Sequence, residues 1–107
     1  MTMLGGCETV AVLLPGTSFY LGLAAHAPAR RLVEKGAIVA IASDYNPGSC
    51  HIFSLPFIWG LSCLHLKLTV EEALNALTVN AAYALKVGDR LGRLSPGYQA
   101  DIAVYQV

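Results

Sequence analysis

The sequence predicts an α/β fold built on a parallel sheet, and three observations point to it. Residues 37–42 (Ala-Ile-Val-Ala-Ile-Ala) form an apolar run without a polar break. A strand covered on both faces reads this way in a parallel sheet. A second β-branched and aliphatic run, Thr9 to Leu14, precedes it, with a helical stretch between the two. Strand, loop, helix and strand within about 30 residues make a βαβ unit, with parallel pairing and a right-handed crossover. Finally, a lone carboxylate, Asp44, follows the second strand, just ahead of the turn residues Asn46, Pro47 and Gly48. The C-terminal end of a buried parallel strand is where α/β barrels keep their chemistry.

Taken in order, the first strand spans Thr9 to Leu14 and ends at Pro15-Gly16. A loop is expected from Thr17 to His26. Pro28 suits the first turn of a helix. Ala29, Leu32 and Val33 then form an i, i+3, i+4 stripe, with Arg30, Arg31, Glu34 and Lys35 on the other side. Gly36 is a natural stop. After the Asp44 loop, Pro56 to Leu68 reads as a helix apolar on nearly all sides, and so buried among other elements. Thr69-Val-Glu-Glu72 is a capping box that opens a helix from Val70 to about Leu77. Thr78-Val-Asn80 opens another, rich in alanine and ending near Gly88. Residues 91–97 are turn-rich, and Asp101 to Tyr105 reads as a final strand.

Composition narrows the function. Seven basic residues balance seven acidic ones among 107, so no basic block exists to displace counterions from nucleic acid or to bind an anionic membrane surface. Charged residues make up 13%, about half the usual ~25%. Hydrophobic residues reach 55%, and the mean hydropathy is +0.55. A free-standing domain of this size exposes much of its surface and needs more charge. The composition is that of the inside of something larger. The most apolar stretch, Ile52 to Leu68, is broken by Ser54, Pro56, Gly60, Ser62, His65 and Lys67, so no membrane span is expected. The segment from Met1 to Cys7 lacks the basic start of a secretory signal. Cys7, Cys50 and Cys63 form no Cys-x-x-Cys pair, and free thiols in a reducing cytoplasm are expected.

Three blocks carry a resemblance to a known family. They are Leu13-Leu-Pro-Gly-Thr-Ser-Phe-Tyr-Leu-Gly22 with Ala27-Pro-Ala-Arg30, then Ala42-Ser-Asp44-Tyr-Asn46-Pro-Gly48-Ser49. The third joins Ala73-Leu and Thr78-Val-Asn80-Ala-Ala-Tyr-Ala-Leu85 to Gly92-Arg-Leu-Ser-Pro-Gly97-Tyr-Gln-Ala-Asp101. From about Ala11 onward the chain resembles the last quarter of the imidazolonepropionase family, within the metal-dependent amidohydrolase superfamily. The third block is general to the superfamily; the first two together resemble imidazolonepropionases. Tyr98 stands where the superfamily often has lysine.

The resemblance implies the C-terminal portion of a (β/α)8 TIM barrel, strands seven and eight with their helices, plus a strand of the small β-domain. Residues 1–88 would be the partial barrel and residues 89–107 the return toward the small β-domain. It implies hydrolysis of the cyclic amide of 4-imidazolone-5-propanoate to N-formimidoyl-L-glutamate in histidine degradation. The cofactor would be one zinc or iron ion, which lowers the pKa of bound water from 15.7 to about 7. Asp44 would ligate the metal and move a proton, while Asn46, Gly48 and Ser49 would contact the small-molecule substrate. The family usually has threonine at the last of these; Ser49 keeps the hydroxyl. The whole enzyme would be a homo-oligomer. The remaining metal ligands, a His-x-His pair and a further histidine, belong to segments absent here, so this chain alone is expected to be inactive.

Read without the resemblance, these residues keep plainer roles. An aspartate that ends a strand before Asn-Pro-Gly often only caps the turn. His26, His51 and His65 lack metal-ligand spacing and read as structural or surface residues, although His51 is close enough in sequence to reach the loop. Cys50 has no paired base and reads as a packed thiol. Phe19, Tyr20, Phe53, Phe57 and Trp59 read as packing residues. Two alternatives stand beside the imidazolonepropionase reading. One is a part of another amidohydrolase with a guanine-type or hydantoin-type ring substrate. The other is a non-catalytic interaction module whose apolar content marks an interface.

Overall fold

A computed structural model describes residues 3–106. Residues 1–2 and 107, the outermost residues of the two expected domains, lie outside the described residues. The order of elements is β1 (Val10–Leu13), α1 (Pro15–Tyr20), α2 (Ala29–Glu34), β2 (Ile38–Ile41), α3 (Leu55–Leu64), α4 (Val70–Leu77) and α5 (Val79–Ala84). β1 and β2 pair in parallel, with Val10 opposite Ile38 and Leu13 opposite Ile41. The α/β class, the parallel pairing and the βαβ unit are as the sequence predicts.

Side chains alternate across a strand, so each face of this small sheet has its own fate. Leu13, Val39 and Ile41 enter a core with Ala29 and Leu32 of α2, Ile58 and Leu61 of α3, Leu66 and Leu68, and Ala73 and Ala76 of α4. On the opposite face, Val10, Val12 and Ile38 line a groove of about 830 Å³ that Val79, Asn80 and Tyr83 of α5 border. α5 is pinned to the sheet by Asn80, whose Nδ2 donates to the Val39 carbonyl at 2.8 Å. Val39, Ala40 and Ile41 are all buried, so β2 is covered on both sides, whereas Val12 of β1 is 49% exposed.

Helix ends follow local rules. The Gly36 amide donates to the Val33 carbonyl and the Ala37 amide to the Leu32 carbonyl, which closes α2 in a Schellman motif. Gly36 takes the left-handed conformation this requires, with φ +76°. The expected capping box opens α4: the Thr69 hydroxyl accepts from the Glu72 amide, and the Glu72 carboxylate accepts from the Thr69 amide. Ser54 caps α3 by accepting from the Phe57 amide.

Four expectations change. The loop read from Thr17 onward begins as helix α1, because Pro15 starts a helix as well as ending a strand. α3 stops at Leu64, not Leu68, because the chain turns through a left-handed Lys67 (φ +59°) to reach the Thr69 cap. α3 is also buried on one side only: Ile58, Leu61 and Ser62 are covered, while Leu55, Phe57 and Leu64 are exposed. Residues 101–105 are not a strand. A strand needs a neighbour to bond with, and this segment pairs with neither β1 nor β2. The segment runs instead as irregular chain past α3, with the Tyr105 ring 6.4 Å from Trp59.

The three cysteines are free. Among the described residues, no helix is long and apolar enough to cross a membrane.

Candidate active site

The loop that leaves the C-terminal end of β2 carries the four residues that the resemblance assigns to the site. Asp44, Asn46, Gly48 and Ser49 stand within six positions, and the side chain of Asn46 joins them. Its Oδ1 accepts from the amides of Gly48 (2.9 Å) and Ser49 (2.8 Å). Its Nδ2 donates to the Asp44 carbonyl and to Ser49 Oγ. The Asn46 amide also donates to the Cys50 carbonyl at 2.9 Å and closes the loop at its base. The turn-forming role open to Asp44 thus falls to Asn46, a side chain suited to bonding its own backbone two residues on.

Asp44 is spared that task. Its carboxylate is exposed and accepts one side-chain hydrogen bond, from Thr17 Oγ1 at 2.8 Å. Its backbone is left-handed, with φ +51°, a region that aspartate and asparagine tolerate better than most residues. No ion pair engages it among the described residues. What remains is an anionic group with one oxygen tied and lone pairs to spare.

α1 lies against this loop. Its N-terminal residues Pro15 and Gly16 are buried. A Cβ on Gly16 would stand 2.6 Å from Ile58 Cδ1 and 3.2 Å from Cys50 Sγ, so only glycine permits the approach. Cys50 is fully buried here, the packed thiol its sequence context suggests. Farther along α1, the Tyr20 hydroxyl lies 3.1 Å from His51 Nδ1, and His51 Nε2 lies 2.7 Å from the Pro47 carbonyl. Thr17 and Tyr20 sit 27 and 31 residues from their partners, so no local spacing announces them. Their one signal in the sequence is membership of the block from Leu13 to Gly22. His51 does reach the loop. His26 and His65 do not: they stack on each other, ring centres 4.5 Å apart, beside Phe19.

The chemistry the loop can perform is limited by its composition. Asp44 can accept a proton or a cation, and Asn46 and Ser49 can exchange their mutual hydrogen bonds for bonds to a ligand. A catalytic metal site takes about three protein ligands. No group of three His, Cys, Asp or Glu side chains among the described residues could hold a metal ion. The chain by itself does not fit a zinc or iron site.

Comparison with known proteins agrees with the resemblance read from the three blocks. The family model described as "Amidohydrolase family" matches residues 10–107. The chain is 46% identical over 103 residues to the imidazolonepropionase of Bacillus velezensis, covering 96% of this chain and 24% of that protein. It is 49% identical over 104 residues to the imidazolonepropionase of Symbiobacterium thermophilum, covering 97% of this chain and 24% of the relative. The chain therefore spans about a quarter of the length of the curated relatives it matches. Among solved structures, E. coli guanine deaminase superposes with a TM-score of 0.74 at 21% identity, over 92% of this chain and 23% of that one. That likeness is one of fold.

Proposed function

This chain belongs to the amidohydrolase family, and on that footing we propose that it forms the closing part of an imidazolonepropionase. β1 and β2 are then the seventh and eighth strands of a (β/α)8 barrel, and residues 89–107 are the return toward a small β-domain. The reaction is hydrolysis of a C–N bond in the ring of 4-imidazolone-5-propanoate, giving N-formimidoyl-L-glutamate in histidine degradation. The setting is the cytoplasm, in keeping with three free thiols. The complete enzyme is a homo-oligomer.

One observation supports this reading above the rest. The lone carboxylate after β2 stands at the C-terminal end of a parallel strand, exposed, with the turn-forming work assigned to its neighbour Asn46. That is the end where barrel enzymes place reacting groups. In this role Asp44 is one ligand of the zinc or iron ion and holds a proton during ring opening. The other ligands come from the missing part of the barrel. Asn46, Gly48 and Ser49 face the substrate. The side-chain bonds between Asn46 and Ser49, 3.1 and 3.2 Å, are the ones that exchange for bonds to it.

The test is complementation. The chain is produced together with the Symbiobacterium thermophilum relative lacking its last quarter, and metal-dependent loss of imidazolonepropionate absorbance is followed. Activity is expected from the pair and from neither part alone. An assembled, metal-loaded pair without activity, or turnover by this chain by itself, refutes the proposal. A panel including guanine and hydantoin rings separates the imidazolone substrate from other amidohydrolase substrates.

A second reading draws on the exposed apolar side chains Val12, Leu55, Phe57 and Leu64. They suit a non-catalytic module that docks on a partner. Cooperative thermal unfolding of the isolated monomer, with no gain of activity on complementation, favours it.

A further inference from the structure

We infer that helix α1 is a clamp on the Asp44–His51 loop, with Thr17 and Tyr20 as its two positioning residues and His51 as the link to the second. The functional weight of this clamp rests on the hydrolase reading of the loop; its existence does not. Thr17 and Tyr20 lie three positions apart, and so on one face of the helix. The first bonds the start of the loop, through the Asp44 carboxylate at 2.8 Å. The second reaches its far end, through His51 at 3.1 Å.

The direction of the second bond follows from its partners. The Pro47 carbonyl can only accept, so His51 Nε2 carries the proton and donates to it at 2.7 Å. In the neutral ring Nδ1 is then the acceptor, and the Tyr20 hydroxyl donates. The chain Tyr20 to His51 to Pro47 is thus polarised one way and satisfies both ring nitrogens. The Tyr20 and His51 rings also pack, with centres 5.1 Å apart. The Pro47 carbonyl shares its peptide plane with the Gly48 N–H, so fixing the carbonyl fixes the direction of the amide that Asn46 Oδ1 accepts from first. Gly16 is buried, with no room for a Cβ before Ile58 Cδ1 and Cys50 Sγ, and so seats the clamp closely on the loop. Tyr20, read as a packing residue from sequence, becomes a determinant of loop geometry. His51 acts through Pro47, not on a ligand.

The test uses the 107-residue chain labelled with 15N. The His51 imidazole signals should show a protonated Nε2 and a bare, hydrogen-bonded Nδ1, and Tyr20→Phe should shift the Nδ1 signal. Amide exchange at Gly48 and Ser49 should rise about tenfold in His51→Ala and return toward the starting rate in His51→Gln, whose amide N–H can still meet Pro47. Val39 and Ala40 amides report whether the core is intact. Should His51→Ala unfold, the Tyr20→Phe ring signal decides alone, since that change removes one exposed oxygen. A ring protonated at Nδ1, or unchanged exchange at Gly48 and Ser49 in a folded His51→Ala chain, overturns the clamp. None of these readouts needs metal or substrate. Failed complementation with an intact clamp refutes the hydrolase proposal only, and a loose loop in an active pair refutes the clamp only.

Discussion

Arg30 and Glu72 meet across 42 residues, Nη2 to Oε1 at 2.7 Å, and tie α2 to α4. The second carboxylate oxygen of Glu72 accepts from the Thr69 amide at 2.8 Å. One side chain therefore closes the capping box of α4 and links two helices that pack on the same side of the sheet.

This double use predicts an acid dependence of stability. The Arg30 hydrogen bond, then the Thr69 amide, hold the Glu72 carboxyl below its ordinary value, while burial works against them. The folded pKa is lower than the unfolded one. The contribution is therefore complete above the unfolded value, about 4.3, and is lost as pH falls through the folded value. Thermal melts from neutral pH downward should show a decline below about pH 4.3 that is shallower in Glu72→Gln. Parallel declines in the two proteins would refute the assignment. High salt should shrink the difference, because both side chains are about one-third exposed.

Removing the other half of the box isolates the cap. Thr69→Ala loses the acceptor for the Glu72 amide but leaves Glu72 free to keep Arg30. The expected cost is about 1 kcal/mol, measured by urea denaturation. Thr69→Ser should restore most of it.

How far the sequence reveals this molecule depends on the distance over which each feature is decided. The capping box and the Gly36 stop are written in four or five adjacent residues, and they appear where expected. β2 is legible because both its faces are covered, which leaves an uninterrupted apolar run. α3 shows the limit of composition. Leu55, Phe57 and Leu64 look like Ile58 and Leu61 in a sequence, and only the packing partners make some buried and others exposed. Residues 101–105 have the side chains of a strand, but a strand is a relation between two segments. In the site, the loop residues were legible as a cluster because they are neighbours. Thr17 and Tyr20 were not, because the fold brings them to Asp44 and His51 from a separate helix.

The seat of α1 can be probed by bulk. Gly16→Val must place its Cβ 2.6 Å from Ile58 Cδ1, in a spot that also faces Cys50 Sγ and the Ser43 carbonyl. Ile58 is fully buried, so its Cδ1 can yield only by disturbing the core around it. Overpacking of this kind costs about 1–3 kcal/mol, and the helix-propensity gain over glycine offsets only a few tenths to half a kcal/mol of it. A fall in melting temperature is expected, along with displaced NMR signals for Cys50 and Ser43. A variant as stable as the parent would show that α1 does not rest on the loop as described.

Asp44 offers a separation of stability from function. Asp44→Asn keeps a carbonyl oxygen for Thr17 to donate to, and asparagine tolerates the left-handed backbone equally well. The side chain is exposed, so denaturation of the isolated chain should change by less than about 0.5 kcal/mol. Asp44→Ala loses both advantages and should cost about 1 kcal/mol for holding alanine at positive φ. Activity in the complemented enzyme should rank differently. Both substitutions remove the negative charge and the proton acceptor, so both should lower turnover by at least about a hundredfold. The informative variant is therefore Asp44→Asn, stable yet inactive. Full turnover with asparagine at this position would mean that the carboxylate serves the loop and not the reaction.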